Sequence, residues 1–342
     1  MNDSKTESEH PIPLTARRHP LIHEIRRGFR IACGGEDPGH LVLAVSGGRD
    51  SLALLIAAVV LREQDDCAIL PRVVHVHHHL REEADAEADH VVEIAKRLDV
   101  PSEIRHVEVP TGTAAEARRV RYEALVAAAC DCRSPLVATG HHAEDQLETI
   151  IAALGRGAGP SGLAGMPPRR LLQRDVSLIR PMLGVSRNDA GDLCTAADVD
   201  WCDDPGNVDV GTQRGRLRQE ILPVLESMWP GVAGRVASMA EAQSVAATAL
   251  EGLVSSVFGP PEQMCWDRKQ ISGLPMAVMM TGLRRAILAT GRIGSDTVSR
   301  QSLVAASEGI GDHRSHLRTY EIGGGLVILV DARQVRIQEG DA

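Results

Sequence analysis

The chain has 342 residues, which is more than one average domain and favours two. Hydrophobic residues make up 43% of the chain but aromatic residues only 2%, so the core must consist mainly of Leu, Val, Ile and Ala. The formal net charge of −9 argues weakly against nucleic acid as a partner, although the distribution of charge matters more than the sum.

The cysteines and the apolar runs indicate the cellular compartment in which the protein works. Seven cysteines occur without a Cys-x-x-Cys pair, which is typical of reduced thiols rather than of a disulfide framework. We find no signal-peptide-like segment and no apolar run of membrane-spanning length, so we expect a cytoplasmic protein without a membrane partner. Residues 1–20 are polar and contain Pro, which predicts a disordered tail.

From residue 21 onward, predicted strands alternate with helices. A helix over residues 21–33 precedes strands and helices in the order βαβαβαβα, which predicts a parallel sheet with helices on both faces. We expect five strands in that sheet. Ligands of such sheets bind where the strands end, so the loops after Val45, His75 and Ala138 are the expected places for chemistry.

The composition changes after the fourth predicted helix. Residues 155–187 contain six Arg and one Asp and are interrupted by Gly and Pro, which predicts a long ordered loop. Beyond this region the chain is rich in Ala, Leu and Met and reads as helical to about residue 306, before short alternating strands. We therefore predict one domain over residues 21–212 and a mainly helical second domain over residues 213–342.

The stretch "SGGRDS" joins the first predicted strand to a helix. Its glycines let the backbone approach a ligand, and the helix start offers unpaired N–H groups to an anion. We expect it to bind ATP through Ser46, Gly47, Gly48, Arg49, Asp50 and Ser51. The Lys of a Walker loop is missing. Asp50 would repel phosphate unless a cation lay between them, which predicts Mg²⁺ at Asp50. The alternative is an ordinary strand-to-helix turn.

The hexapeptide resembles the PP-loop of N-type ATP pyrophosphatases, and further stretches resemble one of their families, the tRNA(Ile)-lysidine synthetases. These stretches are "HVHHHLREEADAEADHV", "GTAAEARRVRYEAL", "ATGHHAEDQLETIIAALGRGAGPSGLAGM", "LIRPML", "WCDDPGNVD" and "RGRLRQEILPVL". The chain departs from the family pattern at His79, Ala114 and Gly215, where Gly, Glu and Asn are usual. The resemblance covers about residues 41–225.

The resemblance implies an adenine nucleotide alpha-hydrolase-like fold and a reaction. The C2 oxygen of the wobble cytidine of a CAU-anticodon tRNA(Ile) would be adenylated by ATP·Mg²⁺, with release of pyrophosphate. Free L-lysine would then displace AMP to form lysidine, which changes charging and codon reading from Met to Ile. The resemblance also implies that a further C-terminal domain, which the family often carries, is missing or reduced. The choice between monomer and homodimer stays open.

Several residues acquire candidate roles. Asp145 and Glu148 share one helix face, so they could hold an ammonium group of lysine while Arg118 or Arg121 holds its carboxylate. His141 and His142 are candidate catalytic residues, and either of them or a carboxylate could take the amine proton. An ordinary solvated acidic helix face is the alternative for the carboxylates.

Arginines at and beyond the end of the fourth predicted helix suggest a path for tRNA phosphates. The candidates are Arg156, Arg180, Arg214, Arg216 and Arg218. Phosphate contacts of this kind dominate nucleic-acid affinity and make it salt-dependent. From charge alone, a merely solvated surface is about as good an interpretation.

The histidines at positions 75, 77, 78 and 79 raise the question of a zinc site. Strand alternation points His75 and His77 to one face and His78 to the other, so the strand alone supplies no convergent ligand set. We interpret the cluster as the edge of the nucleotide site, with His75 near ATP.

Two other functions remain open from the sequence. A tRNA 2-thiolation enzyme of the same superfamily would commonly need paired cysteines, whereas Cys130 and Cys132 point to different faces of one helix. A non-catalytic nucleotide-binding module would bind ATP without tRNA-dependent release of pyrophosphate.

Overall fold

The structure is a computed structural model that describes residues 10–63, 68–79, 84–173, 175–202, 211–294, 297–312 and 314–340. Outside these ranges lie Arg174, one of the six Arg of residues 155–187, and the motif residues 80–83 and 203–209. The chain divides into two compact units, one of residues 1–152 and 165–240 and the other of residues 153–164 and 241–342.

The first unit contains a six-stranded sheet, not the five-stranded sheet predicted from the sequence. Its strands are β1 (Gly39–Ala44), β2 (Ile69–His77), β3 (Ser102–His106), β4 (Leu136–Ala138), β5 (Arg169–Gln173) and β6 (Val176–Ile179). Their spatial order is β3-β2-β1-β4-β6-β5, in which the first five are parallel and β5 is antiparallel to β6. The extra edge strand lies in the segment predicted to be a loop, where Arg, Gly and Pro obscure two short strands.

Helices cover the sheet and continue through the chain. They are α1 (Leu14–Arg17), α2 (Pro20–Ala32), α3 (Arg49–Arg62), α4 (Ala84–Arg97), α5 (Ala114–Asp131), α6 (Ala143–Gly155), α7 (Pro160–Leu163), α8 (Arg187–Ala196), α9 (Gln213–Arg216), α10 (Leu222–Met228), α11 (Val232–Phe258), α12 (Arg268–Ile271), α13 (Met276–Ala289) and α14 (Arg300–Gly311). A π-helical turn, Leu217–Ile221, joins α9 to α10. Helix α3 is buried at every residue from 51 to 61, because the sheet, α2 and α8 all pack against it.

The alternation of β1 explains the two faces of the first unit. Leu41 and Leu43 point into the larger core, which holds α2, α3 and α8. Val42 points the other way, where it joins Leu125 and Ala129 of α5. Helices therefore cover both faces of the sheet, as the βα alternation predicted.

The predicted disordered tail is too long. Residues 10–20 are ordered and include helix α1, and Ile12 and Ala16 are buried in the core of the first unit. The polar composition of residues 1–20 conceals these two apolar anchors. Residues 1–9 lie outside the described chain.

The boundary between the units also differs from the predicted one at residue 212. Residues 213–240 belong to the first unit, where Ala233 and Ala237 of α11 form an apolar cluster with Ala143 and Leu147 of α6. Arg214 of α9 and Arg218 of the π-helical turn pair with the acidic residues of α6.

The second unit combines helices with a four-stranded antiparallel sheet. The strands are β7 (Cys265–Asp267), β8 (Arg318–Gly323), β9 (Leu326–Val330) and β10 (Gln334–Glu339), in the order β7-β10-β9-β8. Strands β8, β9 and β10 lie in the stretch where short alternating strands were predicted, whereas β7 interrupts a stretch that was predicted to be helical. In the described part of the chain, we find no helix with the length and apolarity needed to cross a bilayer.

Candidate active site

The loop "SGGRDS" follows β1 and caps α3. Gly47 has a φ of +88°, a left-handed conformation that favours glycine, and Gly48 is the N-cap of the helix. The hydroxyl of Ser51 donates to the carbonyl of Gly48 at 2.8 Å and accepts from the backbone N–H of Ser46 at 3.1 Å. The loop is therefore closed on itself by serine, and the start of α3 lies at the C-terminal end of the sheet.

Asp50 lies in the first turn of α3 and faces inward. Its Oδ1 is buried and accepts no hydrogen bond within the described structure. Burial raises the pKa of this carboxyl, while the charges of His142 and Arg187 lower it in part. A buried carboxylate oxygen with no donor, next to a phosphate-binding loop, fits a magnesium ligand.

His142 connects Asp50 to the acidic start of α6. Its Nε2 lies 3.5 Å from Asp50 Oδ2 and 3.5 Å from Asp145 Oδ2, and its Nδ1 lies 2.8 Å from Glu144 Oε2. Burial alone would lower the pKa of His142, but the bond to Glu144 and the surrounding carboxylate charges outweigh it and raise the pKa. The ring is thus stabilised as an imidazolium among three carboxylates.

The acidic pair on α6 is already neutralised by arginines. Asp145 and Glu148 are both buried, and the charges of His142, His141 and the arginines overcome burial to lower the pKa of Asp145 to about 2. Arg214 contacts Glu148 at 2.6 Å and Asp145 at 3.2 Å. Arg218 contacts Asp145 at 2.8 Å and also pairs with Glu148. The predicted lysine-binding carboxylates and two predicted tRNA-binding arginines therefore form one ion cluster.

His141 is electrostatically unlike its neighbour. Burial, reinforced by the charges of Arg180 and Arg118, lowers its pKa to about 4 despite the opposing effect of Asp145. Its Nδ1 lies 2.7 Å from Thr139 Oγ1. His141 is therefore a neutral imidazole at neutral pH, with Nε2 left to exchange a proton.

Arg118 lies near this site, on the exposed face of α5. Its guanidinium carbon is 5.0 Å from the centre of the Tyr122 ring, and that of Arg170 lies at the same distance from the same ring. Arg180 is buried, and its Nη1 donates to the carbonyl of Pro167 at 2.7 Å. Burial lowers the pKa of Arg180. This placement disfavours Arg180 as an exposed phosphate contact, whereas Arg118 retains an exposed guanidinium near His141.

Two predicted ATP residues serve to position the loop. His75 is buried, and its Nδ1 lies 2.9 Å from the carbonyl of Val45, immediately before "SGGRDS". Burial lowers the pKa of His75, so the ring is a neutral donor to that carbonyl. The guanidinium of Arg49 lies 5.3 Å from the centre of the Trp201 ring, and the N–H of Cys202 donates to the carbonyl of Gly47 at 3.0 Å. Residues 201–202 thus clamp the loop.

The remaining two arginine candidates are exposed. Arg216 pairs with Glu220 one helical turn away at 3.1 Å. Arg156 follows the end of α6 and belongs to the second unit.

Comparison with known proteins decides the family. Residues 22–225 match the family model of the PP-loop domain. The tRNA(Ile)-lysidine synthase of Salinispora tropica is 39% identical over 251 residues, which cover 70% of this chain and 73% of the relative. The chain belongs to the tRNA(Ile)-lysidine synthase family. Another member, from Pseudomonas fluorescens, is 37% identical over 60% of this chain, which spans 47% of that longer relative.

Membership of the tRNA(Ile)-lysidine synthase family makes the chain an ATP-using ligase. Among solved structures, the U34-tRNA thiolase NcsA of Methanococcus maripaludis, described with its [4Fe-4S] cluster, matches with a TM-score of 0.53 at 14% identity, covering 64% of this chain and 76% of that one. That likeness concerns the fold alone. Cys130 and Cys132 lie at the end of α5, about 24 Å along the helix from its start at the site edge of the sheet.

Sequence reasoning missed two residues of this lysidine synthase family site. Glu144 bonds His142 and accepts from the backbone N–H of Arg187 at 3.1 Å. Gly140 packs so closely that an added Cβ would lie 2.7 Å from the carbonyl oxygen of Asp50. The motif "TGHHAED" contains both residues, and the small residue before the histidine pair was the available signal.

Proposed function

We propose that this member of the tRNA(Ile)-lysidine synthase family ligates free L-lysine to C2 of the wobble cytidine of CAU-anticodon tRNA(Ile), converting ATP to AMP and pyrophosphate. The observation that carries the proposal is the His142 bridge between Asp50 of the PP-loop and Asp145 of α6. This contact of the PP-loop with the acidic face of α6 supports a single site, as two consecutive reactions on the same base require.

In the first reaction the C2 oxygen of cytidine attacks the α-phosphate of ATP and pyrophosphate leaves. The N–H groups at the start of α3 and the hydroxyl of Ser46 are suited to bind the phosphates. Asp50 would hold Mg²⁺ through Oδ1, the buried oxygen without a donor. Bound there, Mg²⁺ would supply positive charge to the phosphates. His142, close to Oδ2 of Asp50, would hold this carboxylate in place.

In the second reaction the ε-amine of lysine attacks C2 and AMP leaves. We assign recognition of lysine to Asp145 and Glu148, with Arg118 facing its carboxylate. This assignment requires an exchange of partners. The carboxylates of Asp145 and Glu148 are buried and already paired with Arg214 and Arg218, so lysine must displace these arginines to bind there.

The exchange of arginine for lysine at the two carboxylates suggests how tRNA binding could assist lysine binding. Once released from Asp145 and Glu148, the guanidiniums of Arg214 and Arg218 become available to backbone phosphates. Arg156 and Arg216 are exposed and extend the candidate phosphate path. tRNA and lysine would then favour the same rearrangement, so that lysine is admitted when tRNA is bound.

We assign to His141 the role of accepting the proton that the attacking amine loses. His142 is held as a charged imidazolium and cannot accept another proton, whereas His141 is neutral. A proton arriving at Nε2 of His141 would be stabilised by the nearby charge of Asp145. The residues thus divide into a fixed cation, His142, and a proton acceptor, His141.

The test is incubation with ATP, labelled lysine and CAU-anticodon tRNA(Ile), with elongator tRNA(Met) as the control RNA. We expect pyrophosphate release and one labelled lysine per tRNA(Ile), and neither with tRNA(Met). Asp50→Asn should abolish both while tRNA binding persists, and Asp192→Asn, on the exposed side of α8, should leave both unchanged. Sulfur-donor dependence without lysine uptake would favour thiolation, and ATP binding without tRNA-dependent pyrophosphate release would favour a nucleotide-binding module.

A further inference from the structure

A second group of ligand-type side chains lies at the ends of β2 and β3. The register of these parallel strands pairs His77 with His106, which are the last residues of their strands. Register partners in neighbouring parallel strands point to the same face of the sheet. The two imidazoles therefore lie on one side, with ring centres 5.3 Å apart.

His79 completes the group through an uncommon backbone conformation. Its φ is +53°, in the left-handed region that a residue with a Cβ rarely adopts. The turn brings its ring back onto the strand ends, with ring centres 4.1 Å from His77 and 5.0 Å from His106. This is the position at which the chain departs from the family-like pattern, since Gly is usual there.

One ring nitrogen from each of His77, His79 and His106 lies within 4.8 Å of the other two. His79 Nε2 and His106 Nδ1 are 2.9 Å apart, so the two nitrogens share either a proton or a ligand. Two nitrogens on one tetrahedral zinc ion lie about 3.3 Å apart, given Zn–N bonds of about 2.0–2.1 Å. Side-chain shifts of a few tenths of an ångström would give coordination distances to this pair.

His77 has the surroundings of a metal-bound imidazole. It is 2% exposed, and its buried Nε2 makes no hydrogen bond of good geometry within the described structure, although Asp85 Oδ1 lies 3.0 Å away. Its Nδ1 accepts a long hydrogen bond, 3.3 Å, from the backbone N–H of His79. Coordination through Nδ1 would replace that bond and leave the Nε2 proton to Asp85, and zinc-bound histidines usually have such a carboxylate partner.

We propose that His77, His79 and His106 form a binding site for a divalent transition-metal ion of the Zn²⁺ class, with Asp85 fixing the ring of His77. Three imidazoles suit zinc, copper or nickel and not the oxygen-preferring Mg²⁺ expected at Asp50. The interpretation of these histidines as an edge of the nucleotide site omitted His106, 27 residues after His79. The ion would tie the ends of β2 and β3 together.

The test uses the full chain without a polyhistidine tag, freed of metal by chelation and studied without nucleotide. Co²⁺ serves as the probe, because its visible absorption reports nitrogen ligation and geometry. We expect one equivalent to bind with a visible band, Zn²⁺ to displace it, and the melting temperature to rise with either ion.

Matched variants separate the site from surface histidines. His79→Gly and His106→Ala should each weaken binding at least tenfold, Asp85→Asn by about 10- to 100-fold, and His23→Ala, on the exposed face of α2, not at all. His79→Gly removes a ligand while easing the backbone, so it should remain folded. Absence of the Co²⁺ band in the unaltered chain, or equal affinity in His79→Gly, would overturn the proposal.

Discussion

His142 Nε2 lies 3.5 Å from Oδ2 of Asp50, a residue that precedes it by 92 positions and belongs to another element. The contact spans the gap between the ends of β1 and β4, where parallel sheets bind their ligands. Because Asp145 is equally close, one imidazolium holds two carboxylates that would otherwise repel each other. The nucleotide loop and the acidic helix are therefore electrostatically coupled before any substrate binds.

His142→Gln should lower stability in a pH-dependent manner. The folded-state pKa of His142 is raised above its ordinary value of 6.5, so its stabilising effect is complete below that value and is lost as pH rises through the raised pKa. We expect a deficit in the free energy of unfolding of about 1–3 kcal/mol at pH 6, shrinking toward pH 9. Denaturant titrations across this range measure it. A constant deficit would show that the ring is not charged.

His141→Ala should separate the two half-reactions. Because its pKa is about 4, His141 is neutral from pH 5 to 9 and available for proton transfer. We expect lysine transfer to fall about 10²- to 10⁴-fold, while tRNA-dependent pyrophosphate release stays near the unaltered rate. Rapid-quench measurements with and without lysine distinguish the steps. Equal loss of both would indicate a role in positioning ATP instead.

Gly140→Ala should disrupt the site because the added methyl group collides with the backbone of Asp50. The added Cβ would lie 2.7 Å from the carbonyl oxygen and 2.8 Å from the carbonyl carbon of Asp50, and these atoms start helix α3. We expect a loss of about 1–3 kcal/mol in unfolding free energy together with a loss of pyrophosphate release. Gly184→Ala is the matched control, because its Cβ would meet nothing within 4 Å. Similar behaviour of the two variants would contradict this close approach.

Arg218→Ala tests the exchange between arginine and lysine. Removing the guanidinium leaves buried carboxylate charge with one partner fewer, at a cost of about 3–5 kcal/mol. Free lysine should restore part of the lost melting temperature and raise that of the unaltered chain less. Arg216→Ala removes only an exposed pair with Glu220, so it should change the melting temperature little and should not respond to lysine. No lysine-specific rescue of Arg218→Ala would place the amino acid elsewhere.

The sequence was sufficient for the parts of the site that depend on local pattern. The loops after Val45 and Ala138, which carry "SGGRDS" and "HHAED", were expected to hold the chemistry, because ligands of parallel sheets bind where the strands end. Glycine and serine content marked the loop. These predictions needed no knowledge of how distant segments pack.

Contacts between distant segments were beyond reach. Arg214 and Arg218 pair with Glu148 across 66 and 70 positions, and nothing in their own segment distinguishes an ion pair from a phosphate contact. The pairing of His106 with His77 depends on strand register, which periodicity does not specify. Strand β5 was missed because its exposed edge carries arginine and leucine without clear alternation.

The stacking of Arg49 on Trp201 provides an intrinsic fluorescence reporter of the nucleotide loop. Tryptophan occurs three times in the chain, and the other two residues differ in setting, since Trp229 is half exposed and Trp266 is buried in the second unit. The indole of Trp201 lies beside the guanidinium of Arg49, and the next residue, Cys202, donates its N–H to the carbonyl of Gly47. The emission of Trp201 should therefore report changes in the charge and hydration of the loop. With Trp229 and Trp266 replaced by Phe, the remaining fluorescence would follow ATP entry in real time without a label.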